Sequence, residues 1–217
     1  MNIFITGGTG YIGRRLIAAL LKRNHTVKAL VRRGSENKLN AQCTIVYGDA
    51  LNAATFQNEI GNADTFIHLV GVARPSPKKK EQFQTIDLTS IKATVEAIKF
   101  QNKKPHLIYL SVAQTSTEIM KDFQAVRAQG EMIIKEANIN ATFIRPWYVI
   151  GPGHYWPLLL LPFLKIAELI PSKSKKAKAL RLVYLPQMIR TLVNAAEHPT
   201  TGIRMVEIDE IRGSRTD

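Results

Sequence analysis

Apolar residues fall along this chain in short continuous runs, separated by longer segments in which they recur every three or four positions. The short runs, rich in Ile, Val, Leu and Phe, are Asn2–Thr6, Thr26–Val31, Thr44–Tyr47, Thr65–Val70, Leu107–Ser111 and Thr142–Arg145. Runs of that length and composition predict strands buried on both faces. Between them, Ile12–Arg23 sets Ile12, Leu16, Ala19 and Leu20 along one helical face, and Ile86–Phe100 does the same with Ile91, Val95 and Ile98. Strands alternating with helices predict βαβ units and a parallel sheet. After Pro146 the rhythm loosens into a Gly/Pro loop, Gly151-Pro-Gly153. A strand is expected at Leu180–Leu185, a helix near Gln187–Glu197 and a last strand near Ile203–Ile208. No stretch has the length or composition of an interdomain linker. Residues 1–217 therefore read as one doubly wound α/β domain, of which about 147–217 form a small lobe capping the carboxyl ends of the strands.

The turn after the first strand carries the chemistry. Phe4-Ile-Thr6-Gly7-Gly8-Thr9-Gly10-Tyr11-Ile12-Gly13 sets glycines at a three-residue spacing between a strand and a helix. In a dinucleotide site the first glycine permits a tight turn, the second lets backbone approach a pyrophosphate and the third packs helix on strand. The helix N-terminus then offers free N–H groups and the positive end of its dipole. A glycine pattern alone is weak evidence; in the first strand–helix unit of a βαβ series it is strong.

Composition narrows the partners. With 30 Lys+Arg against 17 Asp+Glu the formal net charge is +13, which favours anionic partners. The single cysteine, Cys43, cannot close an internal disulfide, and Met1 leads straight into a strand with no secretory leader pattern; both suit a reducing compartment, the cytoplasm. The apolar stretch Trp156–Leu164 falls short of the ~20 residues of a bilayer span. It suits a core helix or an oligomer contact, with peripheral membrane contact as the alternative. The five histidines are scattered without metal-ligand spacing, so no metal site is expected.

The chain resembles the short-chain dehydrogenase/reductase superfamily, and within it the extended, epimerase-like and atypical NmrA-like members, whose first turn reads T-G-x-x-G-x-x-G. Further along, Gly48-Asp49, His68-Leu69-Val70-Gly71, Leu110-Ser111 and Arg145-Pro146-Trp147-Tyr148-Val149-Ile150-Gly151-Pro152-Gly153 match successive family segments. The resemblance implies a Rossmann-type fold and an NAD(P) cofactor. It places that cofactor against Gly7, Thr9, Gly10, Tyr11, Ile12 and Gly13, with Asp49 and Ala50 near adenine and Leu69, Val70 and Gly71 along its middle. Ser111, Arg127 and Pro146 fall at the nicotinamide end. An NAD site places a carboxylate about 20 residues past the glycines. Here that region reads Val31-Arg32-Arg33-Gly34-Ser35, and Glu36 comes only after it. Two guanidiniums suit a 2′-phosphate, so NADP(H) is expected rather than NAD(H).

One departure bears on activity. The family's Y-x-x-x-K pair, in which Tyr moves the proton and Lys assists it, aligns with Phe123-Gln-Ala-Val-Arg127-Ala-Gln-Gly130-Glu131. Phe123 has no ionisable proton, and Arg127 stays charged. A positioned acid is worth roughly 10²–10⁴ in rate, so ordinary carbonyl–alcohol chemistry is not expected. Ser111, Tyr148, His154 and Tyr155 are the candidates for contact with a substrate. Family members lacking the tyrosine imply two outcomes. One is a reductase passing hydride to a conjugated acceptor (flavin, quinone or enone), with solvent supplying the proton. The other is a non-catalytic NADP(H)-binding sensor or assembly protein. Two basic stretches, Arg74–Lys80 and Lys173, Lys175, Lys176, Lys178 with Arg181, are either solvated loops or a patch for an acidic protein or membrane surface. No aromatic-interleaved motif points to nucleic acid.

Overall fold

In the computed structural model, which describes residues 1–115, 118, 120–155 and 181–214, the short apolar runs form strands of one sheet. In chain order these are β1 (Asn2–Thr6), β2 (Thr26–Val31), β3 (Thr44–Tyr47), β4 (Thr65–His68), β5 (His106–Leu110) and β6 (Ala141–Ile144). β7 (Tyr148–Ile150) and β8 (Leu182–Tyr184) follow, and β9 (Ile203–Val206) is last. The sheet has seven strands in the order β3-β2-β1-β4-β5-β6-β9, and every pairing in it is parallel. That is the order of a Rossmann fold extended by one strand. The chain reverses direction across the sheet between β1 and β4, where such sheets open a crevice for ligand at the strands' carboxyl ends.

Strand alternation divides the core. Phe4, Leu30, Phe66, Leu107 and Phe143 face one side, with Phe56 and Ile91 packed on them. Ile3, Ile5, Val27, Ile67 and Ile108 face the other, against Leu16, Leu20, Met188 and Leu192. The helices are α1 (Tyr11–Lys22), α2 (Gln57–Ile60), α3 (Lys80–Gln82), α4 (Thr89–Lys99), α5 (Lys121–Glu136), α6 (Leu185–Glu197) and α7 (Ile208–Gly213). A π-helical stretch, Phe83–Leu88, joins α3 to α4. Among the described residues no helix is long and apolar enough to cross a membrane.

The C-terminal part contributes to the main sheet and its core. β9 is the seventh strand of the main sheet, and α6 buries Met188, Leu192, Val193 and Ala196 in the same core as α1. Among the described residues β7 and β8 form a separate two-stranded parallel sheet. The reason is the apolar stripe of α6, which completes the face begun by α1. The apolar stretch Trp156–Leu164 and the lysines from Lys173 to Lys178 lie outside the described residues.

Candidate cofactor site

The glycine turn is built against the end of β4. Gly7 has φ +76°, and a Cβ placed on it would meet the Leu69 carbonyl carbon at 2.7 Å. Any side chain there would part β1 from β4. At Gly13 a Cβ would lie 2.5 Å from the Gly7 carbonyl oxygen and 2.6 Å from that of Gly8, so helix and turn touch backbone to backbone. α1 starts at Gly10 with no side-chain cap and no acidic residue in its first turn. Its leading amides are unsatisfied donors next to a positive dipole end. A backbone cradle that a Cβ would fill, aimed by an uncapped helix, fits a pyrophosphate. Thr9, Gly10, Tyr11 and Ile12 lie in this turn, and Leu69, Val70 and Gly71 lie just past β4, with the Leu69 amide donating to the Thr6 carbonyl at 3.0 Å.

The neighbouring strand ends supply charge. Arg32 and Arg33 follow β2 directly and are exposed; Arg33 Cζ lies 4.8 Å from the centroid of the Tyr47 ring. Asp49 is exposed after β3, and its Oδ1 accepts the Leu51 amide at 3.0 Å, which orders the turn through Ala50. Glu36, in the same β2–β3 connection, keeps a buried Oε2 without a hydrogen-bond partner among the described residues.

At the β5–α5 side the expected residues turn inward. Arg127 is buried and its Nη2 lies 2.6 Å from Asp87 Oδ1. Nη1 donates to the Leu110 carbonyl at 2.9 Å and Nη2 to that of Val70 at 3.4 Å. A side chain at Gly71 would collide with this guanidinium. The Val72 amide donates to Asp87 Oδ2 at 3.0 Å. Burial pushes the Asp87 carboxyl above its usual pKa, and Arg127 opposes that push. Arg127 thus ties the ends of β4 and β5 together, while its buried Nε has no hydrogen-bond partner among the described residues. Phe123, one turn earlier, packs against Phe83 of the π-helical stretch at 5.1 Å with the rings tilted by 56°, and covers the guanidinium at 5.3 Å. Ser111 is also committed. Its Oγ donates to Glu131 Oε1 at 2.6 Å, and Arg145 Nε donates to the same oxygen at 2.8 Å.

The remaining candidates lie across the crevice. Tyr148 is in β7, and burial raises its pKa. The Pro146 carbonyl accepts the Ala113 amide at 3.0 Å. His154 closes a one-residue bridge with Gly151, and its ring lies 5.7 Å from that of Tyr11. Arg15 sits over the other aromatic contact, its Cζ 4.4 Å from the Tyr11 centroid. Burial raises the Tyr11 phenol pKa, Arg15 works against that, and nearby Tyr155 adds to it. The structure therefore brings Tyr11, His154 and Tyr155 together at the glycine turn and draws Ser111 and Arg127 away from solvent. Sequence reasoning missed Asp87 and Glu131. Their signal was charge on an apolar helical stripe: Asp87 is in phase with Ile91 and Ile98, and Glu131 with Ile134. A charge there needs a buried partner.

Comparison with known proteins agrees with this geometry. Residues 7–150 match the family model described as NAD(P)H-binding. The chain is 24% identical over 212 residues to a ceramide reductase of Caulobacter vibrioides, covering 97% of this chain and 65% of that protein. It is 28% identical over 185 residues to phenylcoumaran benzylic ether reductase TP7 of Nicotiana tabacum, covering 80% of this chain and 55% of that protein. The chain thus spans less than two thirds of the length of these curated relatives. Among solved structures, UDP-glucuronic acid 4-epimerase from Bacillus cereus in complex with NAD superposes with a TM-score of 0.69 at 20% identity, over 95% of this chain and 77% of that one.

Proposed function

The chain belongs to the NAD(P)H-binding family, and on that premise we propose that it is an NADP(H)-dependent oxidoreductase of the atypical short-chain type acting on a conjugated acceptor: a flavin, quinone or enone. The observation that carries this reading is the inward commitment of the groups where a proton donor is needed. Phe123 packs against Phe83, Arg127 pairs with Asp87 and Ser111 bonds Glu131. A conjugated acceptor takes its proton from solvent after hydride addition and needs no built-in acid.

In this reading the glycine turn and the first amides of α1 hold the pyrophosphate, and Arg32 and Arg33 hold the 2′-phosphate. Asp49 and Ala50 border the adenine, Leu69–Gly71 flank the middle, and Pro146 backs the nicotinamide end. Bound NADPH supplies the hydride. Tyr148, His154 and Tyr155 face the acceptor and orient it, while the buried Arg127–Asp87 pair keeps the crevice floor rigid. The reductive relatives support the direction of the chemistry and leave the substrate to experiment. The lone, buried Cys43 thiol suits a reducing cytoplasm.

The test is NADPH consumption, followed at its nicotinamide absorbance, against a panel of flavins, quinones, enones and simple ketones. Turnover with a member of the first three classes and none with ketones is expected; ketone reduction at ordinary dehydrogenase rates overturns the reading. The same inward pairing also favours a second function, that of a non-catalytic NADP(H)-binding sensor or assembly protein. That one is expected to bind NADPH, consume none across the panel, and capture a partner differently with and without NADPH.

A further inference from the structure

We propose that Tyr47 is a positioning residue that aims Arg33 at the 2′ position of the dinucleotide and thereby sets selection of NADP(H) over NAD(H); this rests on the cofactor reading above. Tyr47 ends β3 in register with Val31, the last residue of β2, and the Gly48 amide donates to the Val31 carbonyl at 3.2 Å. The two strands therefore finish level, and Arg32 and Arg33 follow directly from the end of β2. Alternation along β3 buries Val46 in the core and leaves Tyr47 on the opposite face with 44% of its surface exposed. An aromatic ring open at an edge strand is costly to hydration unless something covers it, and Arg33 does, 4.8 Å from the centroid.

The stack matters because an exposed arginine is otherwise free. Its long side chain has many rotamers, and fixing one on binding a ligand costs affinity. Holding the guanidinium plane on the ring removes much of that loss and presents the planar fork in one orientation. Among the described residues no ring stacks on Arg32, so the two neighbouring arginines are not equivalent. The turn also contains an opponent. Glu36, in the same β2–β3 connection and with a buried Oε2 that has no hydrogen-bond partner among the described residues, adds a negative charge that disfavours a phosphate. Asp49 is less available, since its carboxylate already accepts the Leu51 amide. Where a carboxylate competes at the 2′ position, a guanidinium held in place decides for phosphate and a wandering one does not.

The experiment titrates NADPH and NADH against intrinsic fluorescence in the full chain and four variants, with melting temperature recorded for each. Tyr47→Ala is expected to weaken NADPH binding about two- to fivefold, as an exposed cation–π contact implies, and to leave NADH binding unchanged. Tyr47→Phe keeps the ring and is expected to retain wild-type affinity for both. Arg33→Ala is expected to weaken NADPH binding about tenfold or more. In the double variant Arg33→Ala/Tyr47→Ala the second change is expected to add nothing, because the two act through one contact. Equal losses for both cofactors, an unchanged NADPH affinity in Tyr47→Ala, or additive losses in the double variant each overturn the proposal. A wild-type preference for NADH overturns the NADP(H) reading instead; an effect of Tyr47→Ala confined to NADPH would still support the role given to Tyr47.

Discussion

The two sides of the crevice are built on opposite principles. At the β1–α1 turn side chains are removed: Gly7 and Gly13 bring backbone against backbone, and the helix is left uncapped. At the β5–α5 side polar side chains are abundant, and they are turned inward onto each other: Arg127 to Asp87, and Ser111 and Arg145 to Glu131. The first side presents the free amides of a helix N-terminus. The second pairs most of its donors inside the protein, with Arg127 Nε left without a hydrogen-bond partner among the described residues. On the proposed reading, binding and proton chemistry are carried by different sides of the crevice.

The comparison breaks most directly at the buried pair. Arg127→Met leaves Asp87 charged and alone in the core and is expected to cost about 3–5 kcal/mol, read by chemical denaturation. The double variant Asp87→Leu/Arg127→Met is expected to recover most of that loss, since an apolar pair of similar volume needs no desolvation. If Arg127→Met is as stable as the parent, the pair is not what ties β4 to β5.

Gly13→Ala strikes the other side. The added methyl has backbone within 2.7 Å on three contacts, so helix and turn must part, at about 1–3 kcal/mol. Dinucleotide binding is expected to disappear while the fold, by circular dichroism, remains. Retained NADPH binding in a folded Gly13→Ala protein would remove the turn from the site.

Acid sharpens the link between the sides. His68 touches Thr6 of β1 at 3.1 Å and Thr94 of α4 at 3.0 Å. Burial, with Arg127 nearby, pushes its pKa down to about 3; burial, with Arg204, pushes His106 to about 4. Folded, both stay neutral; unfolded, both protonate near the ordinary value of about 6.5. Below that pH the unfolded chain binds more protons, so stability is level above it and falls as pH drops from about 6.5 toward 4. Asp64 and Glu197, whose pKa values are lowered in the fold, add to the loss only below the ordinary carboxylate range. Melting temperature against pH checks this, and His106→Gln is expected to flatten part of the slope.

The smallest expected effect is none. Phe123→Tyr restores a phenol by sequence, but the side chain at 123 packs on Phe83 and its expected helpers are committed elsewhere. Ketone turnover is expected to stay at background. A clear gain would show that this side lacked only its acid.

Much of this was legible in the chain. The alternation of apolar runs with helical stripes predicted the parallel sheet, and the glycine spacing located the close-packed turn between β1 and α1. Strand ends were read a residue or two off: Leu69 and Val70 lie beyond β4, and Ile208 opens α7 rather than ending β9. The π-helical stretch was not read, because one residue of extra helical winding leaves no periodic signature over so short a run; Asp87 was passed over although it is in phase with Ile91 and Ile98. The placement of β9 in the main sheet was missed for a different reason. A four-residue apolar strand looks the same in a lobe as beside β6.

What the sequence by itself determined are the features set by near neighbours: which segments are strand or helix, where the turn must be glycine, and which family residues are missing at 123 and 127. These follow from local sterics and periodicity, which act over a few positions. What only the tertiary structure decided is which charges meet. Asp87 and Arg127, and Glu131 and Arg145, are distant in sequence, and each could have faced water. Packing brought them together because a charge carried on an apolar stripe is stable in the interior only beside its opposite, and which opposite it meets depends on the register of strands and helices across the whole sheet.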